Sequence, residues 1–246
     1  GAILAGWGAN LKAGHDLTTD TIHAGDDVKL DAGNDIDAGE ILSDYGSALL
    51  TAGHNIKSDE IRAAENVKFS AGNDIEAAAI AAGDEVKLKA GHNITTDTIK
   101  TDNDILMEAG NNINAGDIQS DDGSVLLKSD HDIATKNILA AGDVKFDASN
   151  DINAGNITNG GDTFLKSNHN ITTAVTKTAG DVEMHAANDI LAGDIDTEGS
   201  AALTSGHNIK TAKIKAANDV DLDAANNIDA GAIASGGDAT LNAGNN

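Results

Sequence analysis

A repeat of 19 residues runs through almost the whole chain. Its clearest mark is an aliphatic residue after a turn-like stretch, as in Ala32-Gly33-Asn34-Asp35-Ile36. Of the eleven intervals between successive anchors, nine measure 19 residues and two measure 20. Self-similarity at a fixed period of this length predicts a solenoid of stacked coils. The anchors are Leu17, Ile36, Ile56, Ile75, Ile94, Ile113, Ile133, Ile152, Ile171, Ile190, Ile209 and Ile228.

Each repeat carries two further apolar segments. A second aliphatic residue follows the anchor by five positions, as at Ile22 and Ile41, and an alternating stretch such as Val28-Lys29-Leu30-Asp31-Ala32 comes next. Alternation of this kind indicates a strand with one buried face. Gly, Asn, Asp and Ser fill the gaps, which we attribute to turns that use positive φ or side-chain caps. The pattern predicts an all-β, right-handed parallel β-helix of about 13 coils of 19–20 residues, with three short strands per coil.

Other repeat architectures fit the sequence less well. No window places apolar residues at helical spacing, and neither a leucine-rich consensus nor the Gly-Gly-x-Gly-x-Asp turns of calcium-binding β-rolls are found. We therefore interpret residues 1–246 as a single β-helical domain. Because its first residues already lie within the repeat, we interpret it as a segment of a longer rod.

The composition limits the classes of partner. The chain has 40 acidic and 16 basic residues, a formal net charge of −24, so its field repels nucleic acid and anionic lipid surfaces. Neither is an expected partner, and no apolar run long enough for membrane insertion is visible. The absence of cysteine removes disulfides and thiolate metal sites. One Trp, one Tyr and three Phe leave a thin core to be filled by aliphatic residues.

A second period, of two coils, is superimposed on the first. The residue two positions before each anchor alternates strictly between His and Asn. A histidine column suggests a metal site, but equivalent residues in alternate coils lie about 9.6 Å apart, too far to share an ion. We predict instead a polar turn ladder in which each His bonds near the Asn above and below, with no metal or other cofactor. The column reads His15, Asn34, His54, Asn73, His92, Asn111, His131, Asn150, His169, Asn188, His207 and Asn226.

Two other columns carry charge. Consecutive coils place Asp16 beside Asp35 and Asp132 beside Asp151, so a weak Ca²⁺ site is an alternative to solvated turns. On the outer face of the third strand, opposite charges alternate and predict favourable cross-strand pairs. That column contains Lys89, Glu108, Lys128, Asp147 and Lys166.

The repeat departs from its pattern at a few places. The two 20-residue coils carry an extra residue, within residues 42–47 and 119–124, and we expect it in a turn because an insertion inside a strand would turn the apolar set outward. After Ile171 the second aliphatic residue arrives early, at Val175. We expect Thr176 to point inward and to bond a backbone carbonyl, rather than a bulge that buries Val175. Trp7 occupies the turn position of Asp26 and is attributed to a truncated end.

The motifs resemble those of a known family. The Ala-Gly-Asn-Asp-Ile turn, a following Ala-Gly-x-Ile, and strands such as Gly142-Asp143-Val144-Lys145-Phe146 are similar to the haemagglutinin repeats of the filamentous haemagglutinin family. The resemblance covers essentially the whole chain. It implies a right-handed β-helix in a large rod at the surface of a Gram-negative bacterium, exported through an outer-membrane secretion partner. Adhesins and the stalks of contact-dependent inhibition toxins belong to this family.

The sequence favours a structural function. Most coils show no departure that would form a site, so we expect a rigid spacer in a secreted bacterial surface adhesin or toxin-delivery stalk. The full-length protein would then meet a receptor on a host or neighbouring cell. The alternative is direct receptor or glycan contact, through Asp44, Tyr45, Asp121 and Asp122 in the two longer turns.

An enzyme is not expected, and no catalytic residue is assigned. A polysaccharide lyase or hydrolase needs clustered carboxylates with a basic partner and aromatic sugar platforms, whereas this chain has one Arg and one Tyr. We expect an elongated monomer about 60 Å long whose unpaired strand edges allow end-to-end stacking.

Overall fold

The computed structural model describes residues 1–245, and every regular element in that range is a β-strand. The strands are parallel and belong to stacked coils of a β-solenoid of about 13 turns with two main sheets, which confirms the predicted fold class. The strands group into two compact units, Gly1–Gly123 and Ser124 onward. The single domain expected over residues 1–246 stays a prediction.

In the first unit, strands of the two sheets alternate along the chain. The first sheet contains β1 (Ile3–Ala5), β3 (Leu17–Ala24), β5 (Ile36–Ser43), β7 (Ile56–Ala63), β9 (Ile75–Ala82), β11 (Ile94–Thr101) and β13 (Ile113–Ser120). The second sheet contains β2 (Ala9–Ala13), β4 (Val28–Ala32), β6 (Ala48–Ala52), β8 (Val67–Ala71), β10 (Val86–Ala90) and β12 (Ile105–Ala109).

The second unit repeats this plan, but in four of its coils the strand of the first sheet is divided into two strands of three residues. That sheet contains β15 (Ile133–Thr135), β16 (Ile138–Ala140), β18 (Ile152–Ala154), β19 (Ile157–Asn159), β21 (Ile171–Thr173), β22 (Thr176–Thr178), β24 (Ile190–Ala192), β25 (Ile195–Thr197), β27 (Asn208–Ala216) and β29 (Asn227–Ser235). The second sheet contains β14 (Val125–Ser129), β17 (Val144–Ala148), β20 (Thr163–Ser167), β23 (Val182–Ala186), β26 (Ala201–Ser205), β28 (Val220–Ala224) and β30 (Ala239–Ala243).

Each residue pairs with its equivalent in the next coil. Ile36 is in register with Ile56, for example, and Ile152 with Ile171. This register stacks like side chains above one another, so the anchors and second aliphatic residues form continuous buried columns; Ile41 is fully buried. The core therefore consists mainly of Ile, Val, Leu and Ala, as the composition predicts. Two Phe and two Met are also buried, in the second sheet: Phe69, Met107, Phe146 and Met184.

The three predicted strands per coil are separate in only four coils. Elsewhere the first two run together as one strand of eight or nine residues, as in β3. The corner between them consists of two successive outward residues, Asp20 and Thr21, between the buried Thr19 and Ile22. Pairing with the next coil skips Asp20 and resumes at Thr21. The backbone stays extended through this corner, so the bend does not interrupt the strand.

Close approach of the coils, and not positive φ, explains the glycines of the turn before each anchor. No residue in the range 1–245 has positive φ, so the first of the two expected turn features was wrong, while the second, a side-chain cap, is found in both longer turns. A Cβ on Gly72 would instead collide with the carbonyl oxygen of Gly53, one coil below, and a Cβ on Gly53 would collide with that of Gly33. At Gly72 and Gly53 the backbones therefore stack without room for a side chain, whereas Ser149 and Ala187 occupy the equivalent position in coils of the second unit.

The two longer turns have the predicted form. β5 ends at Ser43 and β6 begins at Ala48, while β13 ends at Ser120 and β14 begins at Val125, so both extra residues lie in turns. The two turns share one cap: Gly46 N donates to Ser43 Oγ at 3.2 Å, and Gly123 N donates to Ser120 Oγ at 3.0 Å. The alternation of the flanking strands is preserved, which confirms the alignment.

The coil after Ile171 confirms one expectation and contradicts another. Thr176 is fully buried and Val175 is 43 % exposed, so Thr176 points inward as predicted. Its hydroxyl, however, has no hydrogen-bond partner among the described residues, so the expected bond to a carbonyl was wrong. In a parallel ladder the carbonyls point toward the neighbouring coils, as in the bond from Thr176 N to Asp194 O at 2.9 Å. At this position the inward hydroxyl therefore finds them occupied and badly aligned, whereas Thr178, at the end of the same strand, donates to a backbone carbonyl in the turn of the preceding coil.

Candidate functional site

The turn before each anchor forms a side-chain ladder between coils. In one step of the ladder, Asp35 Oδ1 accepts hydrogen bonds from Asn55 N at 2.9 Å and Asn55 Nδ2 at 3.0 Å. His54 Nδ1 lies 3.1 Å from the same oxygen. A carboxylate in one coil thus satisfies three polar groups of the next coil.

This arrangement recurs along the column. The same triad of Asp, His and Asn is found at Asp74, His92 and Asn93, at Asp151, His169 and Asn170, and at Asp189, His207 and Asn208. Where the donor is Asn instead of His, the geometry is similar: Asn73 Nδ2 donates to Asn55 Oδ1 at 2.9 Å. The predicted polar ladder is confirmed.

The predicted partners of the histidines were wrong. In these four triads each His bonds to the Asp that directly precedes the anchor of the coil before it, as His54 does to Asp35. It does not bond to an Asn in the column of alternating His and Asn. The reason is that residues of the His and Asn column already stack through their backbones, as in the bond from His54 N to Asn34 O at 2.9 Å. Their side chains lean toward the neighbouring column, where a carboxylate is the stronger acceptor.

The ladder lowers the pKa of its carboxyl groups. For Asp35, the backbone N–H of Asn55 is the largest cause, and His54 adds to the lowering of the pKa. For Asp74, desolvation raises the pKa, but hydrogen bonds from Asn93 and His92 outweigh it, so the net pKa falls. Both carboxyl groups are therefore ionised at neutral pH, the form that accepts these bonds.

The paired aspartates proposed for Ca²⁺ have structural roles in the same ladder. Asp16 Oδ1 accepts a bond from Asn34 Nδ2 at 2.7 Å, and Asp132 Oδ1 accepts one from Asp151 N at 3.0 Å. A shallow groove does run beside Asp132 and Asp151. Within residues 1–245, however, no three His, Asp or Glu side chains are grouped as metal ligands. The geometry explains these carboxylates without an ion.

The four residues of the candidate contact patch fall in two separate places. Tyr45 is 79 % exposed, and the adjacent Asp44 has Oδ2 2.9 Å from His23 Nε2. Asp121 Oδ1 accepts a bond from Gln119 Nε2 at 2.6 Å, and Asp122 lies beside it. The two turns are four coils apart, about 19 Å, so these residues do not form one surface patch.

Trp7 is the residue that sequence reasoning undervalued. It lies between β1 and β2 and is 83 % exposed. The pairing of β2 with β4 and of β4 with β6 stacks its turn on the turns that contain Asp26 and Tyr45. The register count in the sequence already contained this signal, since Trp7 occupies the position of Asp26. Because Trp7 was attributed to a truncated end, its place in this stack of turns was missed.

Comparison with known proteins adds no relative. No protein-family model, curated protein or solved structure matches the chain. The resemblance to the filamentous haemagglutinin family stays a prediction. Residues 1–245 contain no helix that could span a membrane.

Proposed function

We propose that the chain is a structural rod segment of a secreted bacterial surface adhesin or toxin-delivery stalk, acting as a rigid extended spacer. It would hold a receptor-binding or toxic region of the full-length protein away from the cell. The partners of that protein would be a receptor on a host or neighbouring cell and an outer-membrane secretion partner.

The observation that supports the proposal is the redundancy of the bonds between coils. One step from Leu17 to Ile36 includes strand pairing in both sheets. The turns add a backbone bond from Asn34 N to His15 O at 3.1 Å and the side-chain bond from Asn34 to Asp16. Connections on all sides of a coil oppose both bending and sliding of one coil on the next, which is what a spacer needs.

The test varies length without changing chemistry. The chain is displayed between a membrane anchor and a binding domain on a bacterial surface, and residues 75–112, two whole coils, are deleted or duplicated. A spacer should keep the ligand affinity of the binding domain, while contact between cells changes with the length of the insert. Unchanged contact at every length would refute the spacer function.

Direct receptor or glycan contact is the second candidate function. It is favoured by the exposure of Tyr45 in a turn lengthened by one residue, a change that the stacking of the coils does not require. Under this function, Tyr45→Ala would abolish adhesion at every spacer length. The two functions are thus separated by the same set of displayed proteins.

A further inference from the structure

The two most exposed aromatic side chains lie on one corner of the first unit. Trp7 and Tyr45 are 83 % and 79 % exposed, whereas Phe69 and Phe146 are buried in the core. The fifth aromatic residue, Phe164, packs on the outer face of β20, with Lys145 Nζ 5.3 Å from the centre of its ring. An exposed ring adds apolar surface in water without strengthening the core. Packing therefore gives no reason for either ring.

The strand register fixes how far apart these two rings are attached. Trp7 stands at the position of Asp26 in the next turn, and Tyr45 lies in the turn after that. Two coils separate them, about 9.6 Å along the stack. Two sugar units of an extended β-linked glycan chain span a similar length, so successive alternate sugars can stack on the two rings.

One carboxylate lies between the two turns along the stack, and a second adjoins Tyr45. Asp26 Oδ1 lies 2.7 Å from the place that a Cβ on Gly46 would occupy, so this carboxylate borders the Tyr45 turn directly. Asp44 is oriented by His23. Carboxylate oxygens accept hydrogen bonds from sugar hydroxyls, while the apolar face of a sugar ring packs on an aromatic face.

The same features argue against charged ligands. The net charge of −24 and the nearby carboxylates repel acidic sugars. A cation would be held by rings that converge around it, but each of these rings is more than three-quarters exposed, so they enclose no common cavity. We propose that Trp7, Asp26 and Tyr45 form a binding site for a neutral, β-linked glycan chain. This site goes beyond the spacer function, which needs no ligand on the rod, and it rests on the second candidate function, for which it names the ligand class.

The chain supplies its own reporter for this site. Trp7 is its only tryptophan, so intrinsic fluorescence observes the site without a label. Titration of the whole chain with cellohexaose should shift the emission to shorter wavelength and saturate. Tyr45→Ala keeps the reporter and should weaken the association about tenfold, the effect of losing one stacked ring. The matched control Phe164→Ala removes an aromatic residue elsewhere and should bind like the parent.

Other outcomes would overturn the proposal. These are the absence of a saturable shift, an affinity unaffected by Tyr45→Ala, or a response to a glucuronic acid oligosaccharide or tetramethylammonium but not to cellohexaose. Because both rings are exposed, Tyr45→Ala should melt at the parent temperature, which verifies its fold. Calorimetry with Trp7→Ala provides an independent measurement and should show binding lost. Failure of this site would leave the spacer proposal standing.

Discussion

The backbone N–H of Asn93 donates to Oδ1 of Asp74 at 2.9 Å, and this bond is one step of a ladder that links the turns of successive coils. The side-chain Nδ2 of Asn93 reaches the same oxygen at 3.0 Å. Because the acceptor is a carboxylate, the strength of the step depends on pH, whereas the backbone ladder beside it does not.

Acid should weaken the turn ladder. Asp74 has a pKa lowered by folding, so its contribution to stability is present above the unfolded pKa of about 3.9 and is lost as the pH falls through the lower folded value. The free energy of unfolding, measured by urea titration, should therefore decline below about pH 4. Asp74→Asn keeps the acceptor, as Asn93 does when Asn112 N donates to its Oδ1 at 3.2 Å, and should make this decline shallower.

The matched variant Asp74→Ala removes the acceptor altogether. It should cost about 1 kcal/mol at neutral pH, since the backbone N–H of Asn93 loses its acceptor and the side chains of Asn93 and His92 lose a shared contact. Equal stabilities of the Asn and Ala variants at pH 7 would show that the ladder contributes nothing.

A column of inward hydroxyls distinguishes the His coils. The second residue after the anchor is Ala in the Asn coils and Thr or Ser in the His coils, and these hydroxyls have no hydrogen-bond partner within residues 1–245. Thr96→Val should raise the free energy of unfolding by about 1 kcal/mol, because it removes an unsatisfied polar group at constant shape. Thr101→Val, in the same strand, should lower it by a similar amount, since Thr101 donates to the carbonyl of Asp84. Changes of the same sign in both variants would contradict the assignment. The column contains Thr19, Ser58, Thr96, Thr135, Thr173 and Thr211.

The coil after Ile171 should be stabilised by exchanging two neighbours. Thr176→Ile with Val175→Thr puts an aliphatic residue into the buried column between Ile157 and Ile195 and a polar residue in water. Tm should rise, with a gain of about 1–2 kcal/mol from the buried apolar area and the removed hydroxyl. A lower Tm would indicate that this coil is shaped for a purpose other than stability.

Close stacking should make an added side chain destabilising at some glycines. Gly72→Ala places a methyl group against the carbonyl of Gly53 and should cost about 1–3 kcal/mol, because the backbone must shift. Gly14→Ala is the control, since nothing lies within 4 Å of its added Cβ. Thermal unfolding of both variants checks this, and an equal loss in the two would refute the explanation.

The sequence predicted what depends on periodicity. The anchors, their register, the inward Thr176 and both lengthened turns follow from counting residues, because a parallel stack repeats one constraint at every coil. The pairing of Lys89 Nζ with Glu108 Oε2 at 3.1 Å was found in the same way.

Details set by local geometry were missed. Three of these details depend on how closely two backbones approach: the partner of His54, the unpaired hydroxyl of Thr176 and the need for glycine at position 72. A pattern of residue types does not determine that distance. The corner at Asp20 depends on how far the backbone bends. The register already placed Trp7 two coils from Tyr45, but only the structure shows that both side chains are exposed.

The central claim is that stacked coils make this chain a spacer whose length is proportional to its number of repeats. Small-angle scattering of the chain and of a variant lacking residues 75–112 tests it most directly. Removal of two whole coils should shorten the longest dimension by about 9.6 Å and leave the radius of the cross-section unchanged. A variant that shrinks equally in all directions would contradict the account. So would a variant that unfolds although the deletion keeps the remaining repeats in register.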